Sequence, residues 1–266
     1  MLLKFTKMHG LGNDYLYVWG DVPANIAALS QKLSDRHFGA GSDGMIYIAK
    51  SKCADFSMRI FNADGSEAKM CGNGIRCVGK YVYDKGYTDK TRVTVETQSG
   101  VKTLRLHLKN GVVDTVTVSM GTAAVSPPQT LELEGEAVAC VPVNVGNPHA
   151  VVFCANAEAA PVTTHGPLLE HHPAFPGGVN AEFVQVLSER ELRMRVWERG
   201  SGVTMACGTG ACASTAAAVS LGYCIPDTPI TVRLDGGALE VTVAPDGAVT
   251  MRGPAAFVYE GESIGC

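Results

Sequence analysis

Two cysteines carry the strongest chemical signal in this sequence. Cys71 stands in Met70-Cys71-Gly72-Asn73-Gly74, and Cys207 in Ala206-Cys207-Gly208-Thr209-Gly210. In both, a thiol leads through two glycines into a stretch that reads as a helix. The positive end of a helix favours the thiolate. Glycines there leave backbone N–H groups uncovered, which makes a nest for an anion. The pattern fits proton transfer by sulfur beside a bound carboxylate.

The device occurs twice because the chain repeats. Cys207 lies 136 residues after Cys71, and at that offset Phe61 meets Trp197, Gly72 meets Gly208 and Gly74 meets Gly210. Gly12-Asn13-Asp14-Tyr15 matches Gly146-Asn147-Pro148-His149, and Phe38 to Asp43 matches Phe175 to Asn180, at offsets of 134 and 137. Three anchors in one order at nearly one spacing define two copies of one unit. Two such units predict a pseudo-twofold arrangement with a cleft between them, and two thiols meeting one ligand from opposite sides. That geometry suits inversion of a carbon stereocentre. One thiolate removes a proton, and the opposite thiol supplies one. Sulfur suits the task, because its ordinary pKa lies near working pH. The amides of Gly72, Asn73, Gly208 and Thr209 would hold the carboxylate on which negative charge develops.

Other polar residues in the same loops describe the ligand. Glu198 suits an ammonium group, and Arg199 can fork onto a second carboxylate. Asn13, Asn62, Asn147 and Asn180 can bridge either group, and His149 can support a thiol. Together these describe a small zwitterion with an extra acidic group. Taken singly, each Asn beside a glycine is a turn residue and Glu198 with Arg199 is a solvated ion pair. His149 alone stands evenly between a structural and a functional role. The pairing of the two cysteine motifs favours function. No lysine has a convincing Schiff-base context, and no cofactor or metal is expected.

The bulk composition is that of an ordinary globular protein: 266 residues, 46% hydrophobic, 18% charged, net charge −4. There is no basic footprint for nucleic acid. Residues 1–10 do not read as a signal peptide, and the small-residue stretch 211–225 is too short and interrupted to span a membrane. Nine cysteines with no CxxC pair argue against a zinc ribbon or a disulfide framework. Most read as core residues, Cys77 and Cys212 among them.

Alternation and spacing predict the elements that position the thiols. Strands are expected over 2–8, 15–19, 45–49, 56–61, 93–95, 104–108 and 113–118, with helices over 23–36 and from Cys71 to about 85. The second half repeats this, with strands over 137–145, 150–154, 183–187, 192–197, 231–234, 239–243 and 249–252. Its helices are expected over 165–171 and from Cys207 to near Gly222. Pro127-Pro128 marks the crossing between halves, and Gly253-Pro254 a break before a return to the first. The expected domains are therefore 1–120 with 253–266, and 121–252. The fold class is α+β, each domain a mostly antiparallel sheet curled around a central helix. The glycines at Gly10 and Gly12 lack the third glycine and helix of a dinucleotide site.

Taken together, the motifs resemble the diaminopimelate epimerase family. They are KMHGLGNDY (7–15), FNADGSEAKMCGNGIRC (61–77), GNPH (146–149), VNAEFV (179–184), ERGSGVTMACGTGA (198–211) and GG (236–237). The resemblance covers nearly the whole chain, and the two cysteine motifs are specific. It implies a cofactor-independent epimerase interconverting LL- and meso-2,6-diaminopimelate in lysine and peptidoglycan synthesis in the cytoplasm. The family is usually homodimeric. By motif, Cys71 and Cys207 would be the acid/base thiols. Asn13, Asn62, Asn147, Asn180, Glu198, Arg199 and the amide pairs Gly72-Asn73 and Gly208-Thr209 would bind substrate. Gly44 stands where many members carry Gln, which would remove one side-chain contact. Two rivals stand beside this: a proline or hydroxyproline racemase using a similar cysteine pair, and a thiol redox switch.

Overall fold

The computed structural model describes residues 2–263. Its chain divides into two compact units, Met1–Val118 with Gly253–Cys266, and Ser119–Arg252. Cys266 lies outside the described residues.

The first unit is a mixed sheet. Strand Leu3–Gly10 pairs antiparallel with Asn13–Trp19, which pairs parallel with Gly44–Lys50, which pairs antiparallel with Phe56–Asn62. Phe56–Asn62 then takes a short antiparallel partner, Glu67–Ala68, and a parallel one, Arg92–Thr97. Gly100–Lys109 and Val112–Thr122 follow in antiparallel order. Two helices interrupt the strands. Helix α1 (Ile26–Ser34) turns Leu29 and Leu33 inward, into a cluster with Phe5, Leu16, Val18, Met45 and Phe61. Helix α2 (Gly72–Asp84) is buried from Gly72 through Val82. It packs on Leu3–Gly10, Asn13–Trp19 and Gly100–Lys109, so the sheet wraps it. Gly79 lets it in, since a Cβ there would lie 2.9 Å from methyls of Leu104 and Leu106. Each fully buried Ile75, Val78 or Val82 contributes about 1.5–3 kcal/mol.

The second unit repeats this order pair for pair. Glu136–Asn144, Pro148–Phe153, Asn180–Ser188 and Glu191–Glu198 pair antiparallel, parallel, antiparallel. Glu191–Glu198 takes the short Gly202–Val203 and the parallel Ile230–Leu234. Gly237–Val243 and Ala248–Pro254 complete the series. Helix α3 (Val162–Glu170) matches α1, and α4 (Gly208–Ser220) matches α2. Every residue of α4 from Ala211 to Ala218 is buried. Its polar groups are satisfied locally, Thr215 Oγ1 donating to Ala211 O (2.9 Å) and Ser214 Oγ to Met194 sulfur (3.2 Å). Both central helices end alike, on Gly86 (φ +75°) and Gly222 (φ +76°). Their N–H groups donate to Tyr83 O and Val219 O, which is the glycine stop the sequence predicts. The α+β class and the curled sheets are as expected.

Three features differ from the sequence reading. Helix α3 begins at Val162, three residues early, because β-branched Val162, Thr163 and Thr164 disguise a first turn anchored by His165 N–H on Pro161 O (2.8 Å). Gln129–Leu133 is an unexpected strand in a hairpin with Glu136–Asn144, turned by Glu134 and Gly135 at positive φ. Gly253-Pro254 is not a break, since Ala248–Pro254 runs through it. The chain then pairs Ala256–Ser263 with Leu3–Gly10, the return to the first unit that was expected. Arg76 fixes this return, its Nε donating to Pro254 O at 3.1 Å from a fully buried side chain. Cys77, Cys140, Cys212 and Cys224 are buried core residues, whereas Cys53 is exposed and Cys154 half-buried.

Candidate active site

Both thiols stand at the N-caps of the central helices. Cys71 (φ −136°, ψ 116°) and Cys207 (φ −108°, ψ 110°) are extended, and the sulfur of each accepts the N–H three residues on, from Gly74 and Gly210, at 3.3 Å. Gly72 with Asn73, and Gly208 with Thr209, supply the first amides of each helix, whose N–H groups have no partner within the helix. Cys71 is half-buried and Cys207 buried.

In the first unit, Cys71 Sγ donates to Asn13 Oδ1 at 3.3 Å. Asn13 Nδ2 donates to Asp43 Oδ2 at 2.7 Å, and the same oxygen accepts the Asp14 N–H at 3.0 Å. Arg36 bridges Asp43 and Asp14, with 2.8 Å to each. Tyr15 is buried beside Asn13 and Cys71, and its phenol is pushed well up, first by burial and then by Cys71 and Asp43. Asn62 ends its strand with its amide donating to Ser66 Oγ (3.0 Å), not to the thiol. Gly44 pairs with Asn62, and a Cβ at Gly44 would fall 2.1 Å from Phe61 O. A side chain does not fit this backbone, so glycine here is a steric requirement. Met45 pairs with Phe61, and Ala181 with Trp197. Gly44, rather than Asp43, is therefore the counterpart of Asn180, one residue from the sequence match.

In the second unit, a file of polar groups runs back from the sulfur. Thr209 Oγ1 lies 3.5 Å from Cys207 Sγ and accepts from Asn147 Nδ2 at 3.3 Å. Asn147 Oδ1 is 3.1 Å from His149 Nε2, and His149 Nδ1 is 2.7 Å from Glu182 Oε1. His149 is buried, so it supports Asn147 from behind and has no open face for a ligand. Glu198 also neighbours Cys207, and its carboxyl accepts from the Thr204 hydroxyl. Burial pushes the Glu198 carboxyl up. The Cys207 thiol is pushed well above the usual range by burial, then by the charges of Glu198 and Glu182. The helix end opposes this, but is outweighed in the free protein.

Arg199 and Asn180 form a second group. The Arg199 N–H donates to Asn180 Oδ1 (2.9 Å), Asn180 Nδ2 to Pro148 O (3.1 Å), and Arg199 Nη1 to Gly177 O (2.9 Å). Glu170 holds this turn, accepting from Trp197 Nε1 (2.6 Å) and Gly200 N–H (2.9 Å). A recess of about 310 Å³ opens here, lined by Glu170, His172, Phe175, Gly178 and Arg199 among others. Among the described residues there is no cluster of potential metal ligands.

Sequence reasoning gave no role to Asp43, Tyr15, Glu182, Glu170 or Thr204. The repeat offset carried a signal for two of them, since it places Tyr15 on His149 and Ile46 on Glu182. A histidine and a glutamate in the second unit replace a tyrosine and an isoleucine in the first.

Duplicated sheets, each curled around a central helix, are a fold shared with solved structures that include a named epimerase. A hydroxyproline epimerase from Agrobacterium vitis shares this fold, with a TM-score of 0.76 at 19% identity over 98% of this chain and 92% of that one. So does a PhzF-family phenazine biosynthesis protein from Bacillus anthracis, with a TM-score of 0.80 at 15% identity over 99% of both chains. Sequence narrows the class. The diaminopimelate epimerase profile matches residues 5–125 and 141–258. The diaminopimelate epimerase of Phocaeicola vulgatus is 50% identical, and that of Acetivibrio thermocellus 47%, each over 98% of both chains. The chain belongs to the diaminopimelate epimerase family, and is an isomerase.

Proposed function

We propose that the protein interconverts LL- and meso-2,6-diaminopimelate with Cys71 and Cys207 as its two acid/base groups, without a cofactor. The observation that carries this reading is the duplicated cap: two thiols at equivalent helix starts, each followed by first-turn amides that have no partner within the helix. Inversion requires them to meet one α-carbon from opposite faces. The thiolate takes the α-hydrogen as a proton, and the electron pair left behind spreads into the carboxylate. The opposite thiol gives its proton to the other face of the carbon and becomes the thiolate. The amides of Gly72-Asn73 and Gly208-Thr209 stabilise the doubly charged enediolate between these steps.

The remaining residues recognise the substrate in this reading. Glu198 receives the ammonium of the reacting centre, and its negative charge is then offset, which eases ionisation of Cys207 beside it. Arg199, with Asn180, holds the distal carboxylate. Asn13, Asn62 and Asn147 bridge the polar groups. A proline-type substrate lacks a second carboxylate, so Arg199 favours diaminopimelate. The enzyme works as a homodimer in the cytoplasm, in lysine and peptidoglycan precursor synthesis. Among the described residues no helix is long and apolar enough to cross a membrane.

Proton NMR of LL-diaminopimelate in D2O with reduced protein tests the reading. Loss of the α-proton signal with appearance of the meso isomer is expected. Absence of exchange by folded protein with free thiols would remove the substrate assignment. Light scattering of the purified protein tests the dimer.

A further inference from the structure

The two thiols stand on different foundations. A Cβ added at Gly74 would meet Ile46 Cδ1 at 2.7 Å, and one added at Gly210 would meet Glu182 Oε1 at 2.7 Å. Strand pairing makes these positions counterparts: Ile46 lies opposite Tyr17 and Ile60, and Glu182 opposite Val151 and Val196. A carboxylate thus occupies a place under the second helix that the first fills with a hydrocarbon. Glu182 is fully buried, and its Oε2 takes no hydrogen bond. Burying such a group costs several kcal/mol unless its charge is balanced.

Hydrogen-bond valence shows what the balance is. The Asn147 amide donates on one side and accepts on the other. Its Nδ2 donates to Thr209, so its Oδ1 accepts from His149 Nε2, which must carry hydrogen. A second proton lies between His149 Nδ1 and Glu182 Oε1. The buried pair therefore holds one proton more than a neutral imidazole beside a carboxylate, and is neutral as a whole. Thr209, having accepted from Asn147, has its own hydrogen to give to Cys207 Sγ, which also takes the Gly210 N–H. A thiolate can only accept, so in that form the Cys207 sulfur has two donors converging on it.

We propose that Glu182 is a positioning residue that acts through His149, Asn147 and Thr209 to aim a hydroxyl donor at Cys207 and favour its thiolate. The inference rests on the two-thiol reading for its place in catalysis, though not for its structural content. Two effects of Glu182 oppose each other. As a bare nearby charge it disfavours the Cys207 thiolate; through the file of hydrogen bonds it favours it. The neutral pairing with His149 weakens the first and leaves the second.

The sign of one measurement decides. Site-resolved alkylation by iodoacetamide at fixed pH, read by mass spectrometry, reports Cys207 and Cys71 separately. In Glu182→Ile, which copies Ile46, Nδ1 loses its partner and the file loses its direction. Loss of one hydrogen bond to a charged group is expected to slow Cys207 alkylation about tenfold, with Cys71 unchanged and kcat lowered while KM holds. Glu182→Gln, whose amide donates to Nδ1 and keeps hydrogen on Nε2, is expected to retain Cys207 reactivity. If Glu182→Ile does not fold, Glu182→Ile with His149→Tyr installs the first unit's own pair and is expected to show the same slowing. Faster or unchanged Cys207 alkylation in the folded isoleucine variant, or in the double variant, overturns the proposal. Because alkylation needs no substrate, the test stands even if wild-type protein leaves diaminopimelate unchanged, and that outcome would remove the function and not the relay.

Discussion

Asn13 Nδ2 and Asp43 Oδ2 are 2.7 Å apart, and this contact fixes which side of the Asn13 amide meets Cys71. A carboxylate only accepts, so the NH2 group must face Asp43 and Oδ1 must face the sulfur. Cys71 consequently donates, whereas Cys207 Sγ faces the Thr209 hydroxyl, a group able to donate to it once the sulfur is a thiolate. Asp43→Asn replaces an acceptor by a group that can present either side, and removes one of the two ion pairs of Arg36. The expected result is a fall of about tenfold in kcat/KM, with altered alkylation of Cys71 and unaltered alkylation of Cys207. Wild-type kcat/KM in this variant would show that the Asn13 amide needs no such hold.

The two-base reading makes a stricter demand on the sulfurs. Cys71→Ala and Cys207→Ala each remove one proton carrier, and a positioned acid or base is worth about 10²–10⁴ in rate. Each variant is expected to lose epimerisation by at least that factor. Each substitution also removes the sulfur that accepts the Gly74 or Gly210 N–H, a cap worth about 1 kcal/mol, so circular dichroism should match wild type while the thermal midpoint falls only modestly. Turnover by either variant within a few fold of wild type would contradict the mechanism.

Arg199 offers a separate test, of specificity. Its guanidinium rests on Gly177 O at 2.9 Å, beside an open recess, and Gly178 makes room for it. Arg199→Ala is expected to raise KM about 10- to 100-fold, the loss of a charged hydrogen-bonded contact, and to change kcat much less. An unchanged KM would take the distal carboxylate away from Arg199.

Much of this was legible in the residues, for physical reasons that also set the boundary. The paired Cys-Gly-X-Gly motifs were visible because a helix start with bare amides needs small residues at fixed places. The repeat was visible because both units solve one packing problem, so Gly86 and Gly222 recur as helix stops. Asp43 and Glu182 were not visible as functional groups. Each acts through an intermediary, Asn13 or His149, that lies at least thirty residues away and becomes a neighbour only through strand pairing. The single-residue slip that set Asp43 against Asn180 has the same origin. Loop lengths differ between the copies, and strand register, rather than glycine spacing, decides which residues correspond. The strand Gln129–Leu133 was hidden because its pattern is short, although Glu134-Gly135 marks its turn.

Away from the site, Asp55 sets an acid limit on stability. Lys90 at 2.6 Å, then the Thr94 N–H, lower its carboxyl from 3.8 to about 2. A carboxyl lowered on folding stabilises above its unfolded value, and that stabilisation is lost as pH falls from about 4 toward 2. The Lys90 partner is well exposed, so screening reduces the contribution to about 1 kcal/mol. Urea unfolding of Asp55→Asn should show that deficit at pH 7, shrinking below pH 4. A deficit independent of pH would assign it to the neutral hydrogen bonds with Thr94 instead.

Gly44→Gln separates a steric account of this position from a functional one. If glycine merely forgoes a substrate contact, glutamine should restore it and lower KM. The backbone argues otherwise. A Cβ at position 44 would stand 2.1 Å from Phe61 O and 2.9 Å from the Asn62 Cα, both main-chain atoms that cannot rotate aside. Ser30 Oγ donates to Phe61 O (3.1 Å) and Asn62 O (2.9 Å), pinning that strand from helix α1. Relief therefore requires separating two paired strands at the end that carries Asn62, five residues after which the chain begins its approach to Cys71. The expected cost is about 1–3 kcal/mol, the usual range for overpacking, seen as a lowered midpoint in urea. Activity should fall with it, because Asn62 and the turn leading to Cys71 move together. A Gly44→Gln protein with wild-type stability and a lower KM would show that this strand end yields easily, and that the site tolerates a side chain its present backbone excludes.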